Sequence, residues 1–364
     1  MKIDFPNVDK NAKIVVAMSG GVDSSTTVAL LQEAGYKNIV GMTLILYEND
    51  EAKGIVCKDT TIRNDCIRIA KDFAIEHHFI ELKEEFMEEV INPFLFGYMS
   101  GITVNPCITC NRDIKFGYLL KESEKINADI LVTGHYIKWD KGADGLGAIY
   151  RSATQGRDQS YFLSQVRKSV LKKLRFPLAN YSKDYIRSEA QRLGVHVAQK
   201  KASSDLCFTG GASYSEIFNK MEEKAKVGNI VDTNGNILGS HKGVHNFTIG
   251  QRKGIGIGGT EKPYFVINID VNKGEVVVGP KEALAVKEIN LSDINWLGDD
   301  IFNSSSKMVF SKVRSSQMLV ESDLIPTSHN TAKIIFKNDI FGVAKGQTCA
   351  FYDKNDRLLG GGYI

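Results

Sequence analysis

Two groups of residues in this sequence have types and spacings that do chemistry. The first is "SGGVDSS", residues 19–25, which follows the apolar run "KIVVAM". Gly20 and Gly21 let backbone N–H groups turn toward one point, and Ser19 and Ser24 add hydroxyls. A helix starting near Ser24 aims its positive end at the same place, so the loop reads as an anion cradle. It lacks the Gly-Lys-Ser/Thr ending of a Walker A loop, so γ-phosphoryl transfer is not the chemistry it suggests. Asp23 sits where a carboxylate helps hold Mg2+ beside phosphates. The bland alternative is a plain glycine-rich turn.

The second group is the cysteines: Cys57, Cys66, Cys107, Cys110, Cys207 and Cys349. Cys107 and Cys110 form a CxxC within "NPCITCNRDIKF". That spacing suits thiol chemistry, or an iron–sulfur cluster with Cys207 as third ligand and one iron left open. Structural zinc is weaker, because no second CxxC or paired His completes the ligand set. Cys207 lies between Leu206 and Phe208 and reads equally well as a small buried hydrophobe. Cys57, Cys66 and Cys349 are expected to pack or stay idle.

The elements that must position these groups follow from the pattern. The chain has 364 residues, 43% of them apolar and 24% charged, which fits a globular protein of two or three domains. Its 46 Lys and Arg against 43 Asp and Glu leave +3, too balanced to imply a nucleic-acid partner without a local basic surface. No run approaches a membrane span, and the start "MKIDFPNVDKNAK" has no apolar signal-type stretch, so a cytoplasmic protein is expected. Strands alternate with helices over roughly the first 200 residues: 13–18 strand, 24–34 helix closed by Gly35, "NIVGMTLILY" strand, 60–75 helix, "HHFIEL" strand. Helices are then read over 84–99 and 113–126, with 100–112 a loop and "ADILVTGH" another strand. The fold class is therefore α/β with a mostly parallel sheet, whose ligands lie beyond the carboxyl ends of the strands. Ser19–Ser24 and Gly134–His135 fall at such ends. After about residue 225, turn signals and β-branched segments predict antiparallel β structure in one or two small barrels. The predicted domains are 1–205, 206–285 (a cysteine-bearing linker plus a central β domain) and 286–364.

"SGGVDSS" resembles the pyrophosphate loop of the N-type ATP pyrophosphatases, which split ATP into AMP and pyrophosphate and activate a carbonyl oxygen by adenylation. "NPCITCNRDIKF", "TGHY" (133–136), "GRDQSYFLSQV" (156–166), "DLCFTG" (205–210) and "FTIGQRKGIGI" (247–257) follow in order. Together with the terminal "GQTCAFYD…LLGGGYI" they resemble the tRNA-specific 2-thiouridylases along nearly the whole chain. The resemblance implies an adenine-nucleotide α-hydrolase-like domain followed by two β-rich domains. It implies ATP-dependent 2-thiolation of the wobble uridine (U34), with ATP and Mg2+, tRNA as partner (Lys, Glu and Gln acceptors), and a persulfide donor such as a cysteine desulfurase or relay protein.

It places ATP at Ala17, Met18, Ser19, Gly20, Gly21, Val22, Asp23, Ser24, Met42 and Gly134, although Met42 reads as a core methionine on its own. It makes Cys110 the nucleophile and Cys207 the persulfide carrier, with a disulfide between them as sulfur leaves, and expects the Cys207 loop to fold over the site when tRNA binds. Gly210 and Gly211 make that mobility plausible. It places tRNA contacts at Asn105, Pro106, Cys107, His135, Arg157, Asp158, Gln159, Arg314, Ser315 and Gln347. Arg157 stands where many members have Lys, and Ser315 where the family has Tyr, which removes a base-stacking ring. Cys107 stands where many members have Asp; a thiol serves as general base there only if its pKa is lowered. Arg252 and Lys253 on a glycine-rich turn add further cations for phosphates. An ammonia-dependent ligase or an RNA- or metal-binding module are the other readings; no glutaminase segment supports the first, and the intact loop and cysteines oppose the second.

Overall fold

A computed structural model describes residues 3–47, 59–154, 156–200, 206–209, 218, 227–258, 263–300, 302 and 305–364. Cys57, Gly210 and Gly211 lie outside the described residues.

Strands β1 (Lys13–Ala17), β2 (Asn38–Ile45), β3 (Glu76–Glu81) and β4 (Ile130–Val132) join Leu174–Arg175 in a parallel sheet of order β3-β2-β1-β4 and then Leu174–Arg175. Along β1 the side chains alternate between two cores. Ile14 and Val16 pack with Val28, Leu30 and Leu31 of helix α1 (Val22–Glu33), while Val15 faces the opposite cluster. A strand buried on both faces has to be apolar throughout, which is why β1 shows no polar alternation. Gly35 takes φ +86° and the Tyr36 N–H reaches the Leu31 carbonyl at 3.1 Å, so α1 ends on a left-handed glycine as its sequence predicts. The chain runs from β1 to one side of the sheet and returns to β4 on the other. The crevice between the ends of β1 and β4 is thus the topological switch point, where open α/β sheets bind ligands.

One segment read as loop is helical. A helix begins at Pro106 and continues to Lys125, with a π-helical stretch over Cys110–Leu119. The Asn105 side chain accepts from the Cys107 N–H at 3.1 Å and proline occupies the first helical position, so "NP" is a start signal. It was hidden because only four residues of ordinary α-helix precede the wider turn. Cys107 and Cys110, three apart, are carried on this opening turn.

The later β structure divides into two sheets. Phe265–Asp270, Glu275–Gly279, Gly228–Val231 and Ile237–His241 form a four-stranded sheet in that order. Its inner pair, Glu275–Gly279 with Gly228–Val231, is parallel, unlike the antiparallel pattern expected. Hairpin signals report only pairings between sequence neighbours and miss a strand that returns from afar. Residues 285–363 supply a closed six-stranded barrel, antiparallel throughout. This barrel is not a loose appendage. Leu297, Ala350, Tyr352 and Leu358 share one core with Val15, Val40 and Leu131 of the first sheet. The Tyr161 hydroxyl donates to the Thr348 carbonyl at 2.8 Å across the same seam. Cys66 and Cys349 are buried within cores, as expected. Among the described residues no helix is long and apolar enough to cross a membrane.

Candidate active site

The loop after β1 builds an anion seat from backbone alone. Gly20 takes φ +64°, and a Cβ there would lie 3.2 Å from the Ile62 backbone, so only glycine fits. Gly21 caps α1 without a side-chain hydrogen bond, leaving the first-turn N–H groups unsatisfied by any cap. Ser24 accepts from the Ser19 N–H at 3.1 Å, and the two hydroxyls stand 3.3 Å apart, which fixes the loop's curl. A Cβ on Gly134 would lie 3.2 Å from the Ser24 nitrogen, so the end of β4 is pressed onto the start of α1.

A cavity of about 410 Å³ opens from this seat, within the size range of ligand pockets. Ala17, Met18, Ser19, Asp23, Ser24, Met42 and Gly134 line its phosphate end. Pro106, Cys107, Cys110, His135, Gln159 and Cys207 line the same space. The two chemistry-bearing groups therefore meet in one chamber. Gly20, Gly21 and Val22 shape the loop from behind and do not line it. Met42 is both core and wall, 2% exposed and facing the cavity.

Cys110 sits in an apolar cluster with Phe86, Phe94 and Ile114. Burial pushes its thiol up to about 12, opposed by the charge of Lys115. Burial raises the Cys107 thiol as well, again opposed by Lys115, so Cys107 does not meet the condition for a general base. Cys207 is exposed at the surface, yet the protein crowded around its sulfur pushes its thiol up too. Its segment is already docked. Phe208 packs edge-on against Phe94 at 5.6 Å and Phe86 at 6.1 Å, and the Tyr47 hydroxyl donates to the Cys207 carbonyl at 2.6 Å. Cys207 itself lines the chamber, while Gly210 and Gly211, on which the expected closure on tRNA turns, lie outside the described residues. Cys110 and Cys207 stand as free thiols here. Among the described residues no three His, Cys, Asp or Glu side chains are gathered as a metal site, which favours the thiol relay over a cluster. The Asp23 carboxylate, expected beside Mg2+, is engaged within the protein on both oxygens. One carboxylate oxygen accepts from the Tyr136 hydroxyl at 2.8 Å and the other is taken by the Lys183 ammonium.

Sequence reasoning missed Lys115, the cation common to all three thiols, although it lies inside a quoted motif. It missed Lys183 and Tyr136, because their partner Asp23 is far away in sequence. His135 is held neutral, well below its usual pKa, first by burial and then by Lys115. Its Nδ1 pairs with the Thr133 hydroxyl at 2.7 Å.

Comparison with known proteins bears directly on this chamber. The chain matches three family descriptions in series: "tRNA methyl transferase HUP domain" over 12–211, "tRNA methyl transferase PRC-barrel domain" over 217–280 and "Aminomethyltransferase beta-barrel domain" over 286–364. The tRNA-specific 2-thiouridylase MnmA of Bradyrhizobium sp. is 41% identical over 372 residues, covering 100% of this chain and 93% of that protein. That of Azorhizobium caulinodans is 42% identical, covering 97% and 93%, and that of Ehrlichia canis 42%, covering 96% and 94%. The chain belongs to the tRNA-specific 2-thiouridylase family. A solved U34-tRNA thiolase, NcsA from Methanococcus maripaludis with its [4Fe-4S] cluster, aligns at 20% identity and TM-score 0.37, covering 58% of this chain and 65% of that one. That likeness is too loose to carry a cluster here.

The residues that the family resemblance assigns to tRNA do not all offer free groups. Arg157 is exposed, as are Arg252, Lys253 and Ser315. Asp158 instead organises its own turn, accepting from the Ser152 and Ser160 N–H groups at 3.2 and 3.1 Å, and meets Lys312 of the barrel at 3.5 Å. Gln159 accepts from the Tyr136 N–H at 2.9 Å. Gln347 donates to the Thr103 carbonyl at 2.8 Å, tying the barrel to the segment before Asn105. Arg314 donates to the Ile249 carbonyl at 2.5 Å and packs against Gly250, so it joins the four-stranded sheet to the barrel and approaches the Arg252–Lys253 turn.

Proposed function

We propose that this protein replaces the C2 oxygen of the wobble uridine of tRNA with sulfur, spending ATP to AMP and pyrophosphate. The carrying observation is one chamber that holds both the anion seat and the Cys110–Cys207 pair. In the first step the uridine O2 attacks the α-phosphorus of ATP, the bond to the β-phosphate breaks, and pyrophosphate leaves. In the second, a persulfide on Cys207 attacks C2 through its terminal sulfur, and AMP leaves with the former carbonyl oxygen. In the third, the Cys110 thiolate attacks the Cys207 sulfur. The S–S bond to the substrate breaks, 2-thiouridine is released, and a Cys110–Cys207 disulfide remains for an external thiol to reduce.

The buried thiols require help to ionise, and Lys115 is the cation positioned to give it. Sulfur transfer employs the nucleotide seat and both thiols; the methyl transfer in the family descriptions employs no such seat. Mg2+ comes with the triphosphate, and no protein ligand is assigned to it. We assign residues 1–205, together with Cys207 of the segment that follows, to nucleotide and sulfur chemistry, and the β-rich remainder to tRNA, with Arg252, Lys253 and Ser315 there and Arg157 of the first domain as surface contacts. Asn105, Asp158, Gln159, Arg314 and Gln347 hold that surface in shape, and Pro106 and His135 line the route to the uridine. The sulfur donor is a persulfide-bearing protein; Lys, Glu and Gln acceptors are the tRNAs to try first. The site of action is the cytoplasm. The test is pyrophosphate release from ATP with and without unmodified tRNA. Release that needs the tRNA supports the proposal; release driven by a small amine or acid acceptor points to a ligase and overturns it.

A further inference from the structure

Behind the anion seat the protein carries more positive charge than it neutralises. The helix Lys183–Arg192 packs beside α1, and Lys183 and Arg187, four apart, lie on one face of it. The Lys183 side chain is only 6% exposed and its ammonium meets Asp23 of the loop. Arg187 is half-buried, and its Nε is buried without a hydrogen-bond partner. Among the described residues it forms no ion pair. Its charge and that of Arg157 reach both Lys183 and Tyr136, so it stands near the Asp23 contact. Asp23 thus meets one buried ammonium directly, and the Arg187 guanidinium stands one turn along the same helix face with no ion pair among the described residues. A partly buried guanidinium left unpaired is costly, and a site that retains one is completed by an anion.

We propose that Lys183 and Arg187 hold the pyrophosphate half of the nucleotide and steady it as the leaving group. Lys183 masks the carboxylate that would otherwise repel the phosphates, and Arg187 supplies the net charge, its planar fork matching two phosphate oxygens. The assignment rests on the nucleotide reading above. Arg187 adds its charge to that of the Mg2+ that arrives with the triphosphate, while Lys183 is engaged with Asp23.

The test is calorimetry of the full chain with inorganic pyrophosphate and, separately, AMP, in EDTA so that only protein cations act. Arg187→Met weakens pyrophosphate binding by about tenfold or more and leaves AMP within about twofold, which also reports an intact fold. Arg187→Lys recovers part of the loss. Pyrophosphate affinity unchanged in Arg187→Met overturns the assignment, and so does an equal loss of AMP, which would remove Arg187 from the pyrophosphate half. Native protein that binds neither probe overturns the nucleotide reading itself.

Discussion

Phe208→Ala separates delivery of Cys207 from activation of the substrate. Phe208 is 2% exposed and wedged edge-on between Phe86 and Phe94. A buried Phe→Ala change costs ~3–5 kcal/mol, and the lower end applies to a short segment free to relax. At ~1.4 kcal/mol per factor of ten, ~3 kcal/mol lowers the docked population by ~100-fold. Tyr47→Phe removes one hydrogen bond to the Cys207 carbonyl, worth ~1 kcal/mol or ~5-fold. The assay is single-turnover thiolation of unmodified tRNA by persulfide-loaded protein, with pyrophosphate release measured alongside. Thiolation should fall in the order native, Tyr47→Phe, Phe208→Ala. Pyrophosphate release should hold steady, because Phe208 anchors the Cys207 segment on Phe86 and Phe94 and takes no part in the curl of the loop after β1. Native thiolation by Phe208→Ala would refute the idea that this docking delivers the sulfur.

Three further outcomes follow from the geometry. Gly134→Ala puts a methyl 3.2 Å from the Ser24 nitrogen; overpacking of ~1–3 kcal/mol should weaken ATP by about tenfold or more in calorimetry, and unchanged affinity would count against the close approach. Cys207→Ser should accept no persulfide, Cys110→Ser should keep one yet release no thiouridine, and Cys107→Ser should retain substantial activity; persulfide labelling checks all three, and a uniform loss together with an iron chromophore contradicts the relay. The Cys110 thiol is raised from 9.0 to about 12 by burial, so above pH 9 the folded protein keeps a proton that the unfolded chain gives up. The stability tied to this group is whole below pH 9 and declines as pH rises toward 12, so Cys110→Ser should lose less melting temperature across that window than the native protein; parallel profiles would contradict it.

The anion loop was legible in the sequence because its causes are local. A strand end, two glycines and a helix start lie within a dozen residues, and their geometry depends on little else. The Cys107–Cys110 turn was half legible: its spacing announced chemistry, but the helix carrying it did not, since four α-helical residues running into π-helix give no clean period. What stayed hidden was charge pairing across the fold. Lys183 reads as an ordinary solvated lysine until the sheet brings its helix to Asp23, and Lys115 looks like any polar position in a motif until it lines one chamber with three thiols. Asp158 and Gln347 show the reverse error. They read as surface contacts, yet their polar groups turn inward to hold turns and seams. The barrel's attachment was also invisible, because Tyr352 and Leu358 join a core whose members outside the barrel lie far earlier in the chain, such as Val15 and Leu131. Removing the β-rich half would strip that core, so tRNA binding is better probed with Arg157, Arg252 and Lys253 changed singly, each expected to lessen the salt dependence of binding.

The central claim is that one chamber joins adenylation to sulfur transfer. Its most direct measurement is nucleoside mass spectrometry of unmodified tRNA incubated with the protein, ATP and a persulfide donor, with AMP and pyrophosphate counted in the same reaction. The account predicts a wobble uridine bearing sulfur in place of oxygen, one AMP and one pyrophosphate per sulfur, and none of these sulfurs with Cys207→Ser. Sulfur incorporation without ATP, or ATP cleavage on tRNA that never yields a sulfur-bearing uridine, would contradict it.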